Sequence, residues 1–138
     1  MGEDKIKHLE FIQNIIARHN ANSFQIKGLT ITIMSAILAV YASNNNINFF
    51  WIGNLPILML WFLDAYYLQQ ERKLRGLYND VAGITDEPKR IKNMEIRPDL
   101  YIGGTYNYFN VLFSYTIWPL YVIILLGLTT TYFYLIYN

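Results

Sequence analysis

The chain has 138 residues, enough for one domain. It is 54% hydrophobic and 17% aromatic. Only 15% of it is charged, against about 25% in a soluble domain. The apolar residues come in blocks, which is a membrane composition; the net charge of +1 gives no reason to expect a nucleic-acid partner, and the absence of cysteine excludes disulfides and thiolate metal sites.

Residues 1–25 read as a cytoplasmic amphipathic helix. Ile6, Leu9, Ile12 and Ile16 recur at spacings of three and four, and Phe11 and Ile15 widen the stripe. Acids open this helix and Arg18 and His19 close it, which suits the helix dipole. His8 and His19 have no second ligand at metal spacing, so no metal is expected. Asn22-Ser23 is the expected joint with the first span. Leu29 to Leu38, followed by Val40-Tyr41-Ala42, has the outline of a cleaved leader. The long segment before it carries Glu3, Asp4 and Glu10, unlike a short basic leader, so cleavage is not expected.

Residues 26–43 form the first span, ~27 Å as helix, with Lys27 snorkelling at its start. Gly28, Thr32, Ser35, Ala36, Ala39 and Ser43 fall on one stripe. Lipid rewards no such stripe. It suits either close helix packing or a hydroxyl-lined pore. Asn44-Asn45-Asn46 is a polar turn, and Phe49, Phe50 and Trp51 begin an aromatic belt. Residues 49–68 form the second span, ~30 Å long, with a start distorted around Gly53 and Pro56. Asp64 lies inside it, as a structural partner of Lys27, Arg72 or tyrosines, or as part of an ion path or gate.

The helix then continues into the cytoplasm. Leu63, Tyr67, Gln70, Leu74, Leu77 and Val81 make a heptad-like seam, and Glu71 and Arg75 stand in the favourable order for a helical ion pair. Residues 69–107 hold this extension and a basic loop. Gly83, Pro88, Pro98 and Gly103-Gly104 punctuate the loop, with a short strand near Met94 and Ile96 and a helical turn at Asp86-Glu87-Pro88 expected. Residues 108–137 carry no charge, and the third span is placed at 111–135. Pro119 either kinks it or separates a juxtamembrane segment from the span proper. Tyr132, Phe133, Tyr134 and Tyr137 end it in aromatics. Thr129-Thr130-Thr131 either back-bond to the helix or face a pore.

Every Lys and Arg, eleven in all, lies in 1–27 or 69–107. The positive-inside rule therefore places the N-terminus in the cytoplasm and the C-terminus outside. The expected fold is an all-α membrane protein with three spans, the second extended into the cytoplasm. Three spans are too few for a conduit, so a homo-oligomer, a tetramer or larger, is expected in the bilayer. Arg72, Arg75, Lys89, Arg90, Lys92 and Arg97 are candidates to bind an anionic ligand, with Tyr78 or Tyr101 stacking on a base, or are simply the charge that sets topology. The pore or gate candidates are Gly28, Thr32, Ser35, Ala36 and Asp64. There is no nucleophile elbow, phosphate loop or HExxH, so no catalytic residue, cofactor or enzymatic activity is expected.

Two stretches, FIQNIIARHNANSFQIKG and WFLDAYYLQQERKLRGLY, resemble small bacterial membrane proteins of antiviral defence operons. The nearest resemblance is to the membrane subunits of Hailong-type systems, and the arrangement also looks like the RipA-type octameric membrane proteins. The resemblance implies an oligomeric inner-membrane channel. A nucleotide or a DNA or RNA oligomer from a partner nucleotidyltransferase would control it, and it would depolarise the membrane in abortive infection. The competing expectation is a non-conducting scaffold or sensor that recruits a cytosolic partner through residues 69–107.

Overall fold

The computed structural model describes residues 2–138. Five α-helices follow in order: α1 (Glu3–Asn44), α2 (Asn48–Ile52), α3 (Asn54–Ala82), α4 (Tyr108–Leu112) and α5 (Trp118–Tyr137). No strand forms among the described residues. Three helical stretches, Glu3–Asn44, Asn48–Ala82 and Trp118–Tyr137, are long and apolar enough to cross a membrane. The chain divides into two compact units, Met1–Ser23 with Tyr66–Val111, and Phe24–Ala65 with Leu112–Asn138.

The expected joint at Asn22-Ser23 is absent, because α1 runs through it as one helix of 42 residues. The reason is a continuous buried stripe. Ile12, Ile16, Ser23, Ile26 and Thr30 are buried and His19 is half-buried, at alternating spacings of four and three. Serine and asparagine only mildly disfavour a helix interior, and packing on both sides of Ser23 outweighs that preference. The expected stripe is also rotated. Ile6 and Phe11 are exposed, whereas His8 is buried. The helix ends at the asparagines. Asn45 takes a left-handed φ of 55°, which asparagine tolerates, and the Asn44 and Asn46 side chains each accept a bond from the N–H two residues on.

In the first unit, Ile12, Ile16, Leu74, Leu77 and Tyr101 form the core, with Tyr78, Val81, Ile91, Ile96, Leu100 and Tyr106 against it. The loop after α3 is therefore packed on the helices rather than loose. The expected strand is replaced by a turn, because Met94 adopts a φ of 60° and the Glu95 N–H closes onto the Lys92 carbonyl. The expected turn at Asp86 is a bend, and single helical turns form instead at Pro98–Leu100 and Gly104–Tyr106. Gly76 is required where the loop meets α3. A Cβ there would stand 2.5 Å from the Tyr106 hydroxyl and 2.8 Å from the Tyr101 ring.

In the second unit, Ile57, Asp64 and Ala65 are fully buried, whereas Leu63 is exposed, so the seam read from Leu63 shifts by one residue at its upper end. A break at Gly53 separates α2 from α3, as the sequence around Pro56 led us to expect. The long C-terminal helix begins at Trp118, seven residues after the start expected for the third span. Residues 113–117 form turns, and Pro119 sits in the first turn of α5, where its missing N–H costs nothing. Its 20 residues rise about 30 Å, the thickness of a hydrocarbon core.

Candidate functional site

Asp64 has no exposed surface. Three elements of the second unit explain how a carboxylate is kept there. The Lys27 Nζ, on α1, donates to Oδ2 at 2.6 Å. The Tyr121 hydroxyl, on α5, donates to the same oxygen at 2.8 Å. Trp61, one turn before Asp64 on α3, stacks on the Tyr121 ring at 6.1 Å and 5°, and its own Nε1–H is held by the Leu112 carbonyl at 3.1 Å. Thr30 is fully buried next to this group; its hydroxyl donates to the Ile26 carbonyl at 2.8 Å and interacts with the Tyr121 phenol. Unpaired, an acid inside a span is costly, up to about 2.5–3.5 kcal/mol at the centre on insertion scales and less toward the ends, where Asp64 lies. Pairing with Lys27 and a phenol offsets that cost at this site.

Lys27 therefore reaches sideways into the helices, with a quarter of its side chain exposed, rather than only out to the membrane boundary. Of the alternatives for Asp64, the Lys27 pair and the tyrosine bond are both present. The other pore candidates lie elsewhere. Gly28, Thr32, Ser35 and Ala36 are exposed, as are Ala39 and Ser43 along the same stripe. Thr32 and Ser35 return their hydroxyl hydrogens to the carbonyls of Gly28 and Ile31, at 3.0 and 2.9 Å. A Cβ added at Gly28 would meet nothing within 4 Å in its own chain. In α5, Thr130 and Thr131 likewise bond to carbonyls of their own helix, while Thr129 accepts the Asn54 side-chain amide at 3.3 Å. The Trp51 and Tyr132 rings meet at 5.8 Å in a tilted arrangement, which joins two of the expected aromatic belts.

The basic residues of the first unit are largely engaged with their own chain. The Arg72 guanidinium donates to the Thr105 carbonyl at 3.0 Å, and Arg75 pairs with the buried Glu71 at 2.7 Å. Arg97 is held by Asp99 at 2.8 Å and by Glu95 at 3.4 Å. The Lys89 ammonium donates to the Leu100 carbonyl and lies 4.1 Å from the centre of the Tyr101 ring. Arg90 and Lys92 are exposed, and the Lys92 backbone N–H bonds the Glu95 carboxylate at 2.9 Å. Arg75 faces a cavity of about 240 Å³ with Gln13, Tyr78 and Asn79, while Lys89 faces another of about 280 Å³ with Asp80, Tyr101 and Tyr106.

Titrating groups of this unit are tuned by the same contacts. Burial pushes the Asp80 carboxyl up, but bonds from Tyr101, Thr85 and the Lys89 N–H outweigh it and hold the group below its usual value. Burial, then the Asp80 carboxylate, pushes the Tyr101 phenol up. Burial, helped by Arg18, lowers His19 against the opposing pull of Glu71. The His19 Nδ1 is buried without a hydrogen-bond partner, and its ring lies 5.7 Å from that of Tyr67.

The group of Lys27, Asp64 and Tyr121 was legible only in part. Asp64 stands out as an acid in an apolar run, but Tyr121 is one of twelve tyrosines and nothing local marks it. No family model, curated protein or solved structure matches the chain.

Proposed function

We propose that this chain is the protomer of a homo-oligomeric ion channel in the bacterial inner membrane. In this reading it acts as the effector of an antiphage defence system. The observation that carries the reading is the fully buried Asp64, ion-paired to Lys27 and bonded to Tyr121 among apolar helices. Packing needs no charge there, and hydrophobic residues of the same volume are often as stable as a buried pair. Ionisable groups at such depth mark ion or substrate paths.

Assembly is supported by the face of Gly28, Thr32, Ser35, Ala36, Ala39 and Ser43, which its own chain leaves uncovered. Such a face gains nothing from lipid and much from a neighbouring helix. The N-terminus would be cytoplasmic, since all eleven Lys and Arg lie in segments 1–27 and 69–107. A nucleotide-derived signal would act on the basic cytoplasmic segment. The test is expression of the protein alone, with and without its neighbouring operon genes, while membrane potential is followed. Collapse of the potential in one state supports the reading, and a normal potential in every state contradicts it.

A second reading is favoured by one observation. Arg72, Arg75 and Arg97 are already bonded within the chain, which leaves fewer cations for a ligand and suits a non-conducting scaffold. Retained capture of a cytosolic partner through residues 69–107, without conductance in liposomes, would select it.

A further inference from the structure

Asp64 is one half of an ion pair, but the atoms around it describe something more specific. Its carboxylate is the sole formal negative charge among Lys27, Thr30, Trp61 and Tyr121. The Tyr121 hydroxyl gives its hydrogen to Asp64, and the Thr30 hydroxyl gives its hydrogen to the Ile26 carbonyl. Each hydroxyl oxygen thus spends its hydrogen on another acceptor and has two lone pairs as acceptor capacity, part of it shared between the two hydroxyls. The set is one carboxylate with neutral hydroxyl oxygens beside it, all hard donors, which suits an alkali cation. A single positive charge is already there, the ammonium of Lys27 at 2.6 Å.

We propose that Asp64, Tyr121 and Thr30 form a binding site for a monovalent cation, and that Lys27 fills it as a tethered occupant. The ligand class follows from charge. One carboxylate balances one positive charge, and a divalent ion would leave a net positive charge in an apolar setting, at high cost. Lys27 is the removable part. Its side chain is 26% exposed, whereas Asp64, Thr30 and Tyr121 have no exposed surface. Lys27 lies mid-helix in α1 but at the start of its apolar run, where a lysine stem in a bilayer can carry its ammonium toward the boundary. When it does, Asp64 requires another cation, and Na⁺ or K⁺ is the abundant one. The inference rests on the channel reading for its consequence, since a cation site among the spans would make the permeant ion a cation rather than an anion. The site itself does not depend on conduction.

The experiment measures thermal melting of the purified full chain in detergent at neutral pH. Three salts are compared at one ionic strength: the chlorides of Na⁺, K⁺ and the bulky N-methyl-D-glucamine. Wild type, with its own ammonium in place, should melt equally in all three. Lys27→Met should melt lower in the organic cation and regain roughly 4 °C in Na⁺ or K⁺ at about ten times half-saturation. Lys27→Met combined with Asp64→Leu should lose that dependence. Recovery of folded Lys27→Met only when alkali cation is present counts as the same positive result. Equal melting of Lys27→Met in the three salts overturns the proposal, as does its loss in all three. A midpoint that follows pH but not the cation also overturns it, because Asp64 then takes a proton. Absence of ionic current through wild type removes the channel and leaves the site. Absence of the cation effect with current intact removes the site alone.

Discussion

At the scale of single residues, the cost of a lone buried charge dominates. Lys27→Met removes the ammonium and leaves the fully buried Asp64 carboxylate without its ion-pair partner. Loss of one member of a buried pair costs about 3–5 kcal/mol. Lys27→Met in a bulky organic cation should therefore lower the unfolding free energy by that order, while Lys27→Met with Asp64→Leu should recover most of it; denaturation in mixed micelles reads both. Gly76→Ala tests the loop packing of the first unit. Its Cβ would fall 2.5 Å from the Tyr106 hydroxyl, so a loss of about 1–3 kcal/mol is expected, despite the better helix propensity of alanine.

His19 gives a pH prediction of definite sign. Its pKa is lowered from 6.5 in the fold, chiefly by burial. The unfolded chain then binds more protons across that window, so stability rises with pH there. Stability of the wild type should fall as pH drops below about 6.5 and then level off once the folded-state pKa is passed. His19→Gln should flatten this part of the profile. An unchanged slope in that variant would remove His19 as its source.

At the scale of elements, apolar runs announced all three helices that are long and apolar enough to cross a membrane, because about 20 residues of helix are what a bilayer demands. Their ends were less legible. Asn22-Ser23 looks like a joint because both residues prefer caps and turns. The 3–4 spacing of Ile12, Ile16, His19, Ser23, Ile26 and Thr30 carries the helix through it, a stripe that includes polar residues and so escapes a purely apolar reading. Ser23→Pro should accordingly cost about 3 kcal/mol or more, whereas a real joint would accept it; helical circular dichroism and melting decide. The long C-terminal helix starts seven residues after 111, the expected start of the third span. The sequence shows no charge between 108 and 137, and only Pro119 marks where the long helix begins. Asp64 was visible as an anomaly, but its pairing with Tyr121 depends on the rotation of two helices, which local sequence does not encode.

At the scale of the whole molecule, one protomer leaves the hydroxyl face of residues 28–43 uncovered. The natural chain has no cysteine, so a single introduced thiol reports contacts without ambiguity. Ser35→Cys should form disulfide-linked dimers in native membranes, and exposed Leu126→Cys provides a comparison site on α5. Preferential linkage at 35 supports a neighbour on that face, and equal linkage at both positions argues against it.

The central claim is ion conduction by the assembled chain, and current through purified protein in a planar bilayer tests it most directly. The account predicts discrete channel events under a salt gradient, with the reversal potential displaced toward that of the cation. Bilayers that stay silent both with and without the products of the neighbouring operon genes, at protein densities where Ser35→Cys links neighbouring protomers, would contradict it.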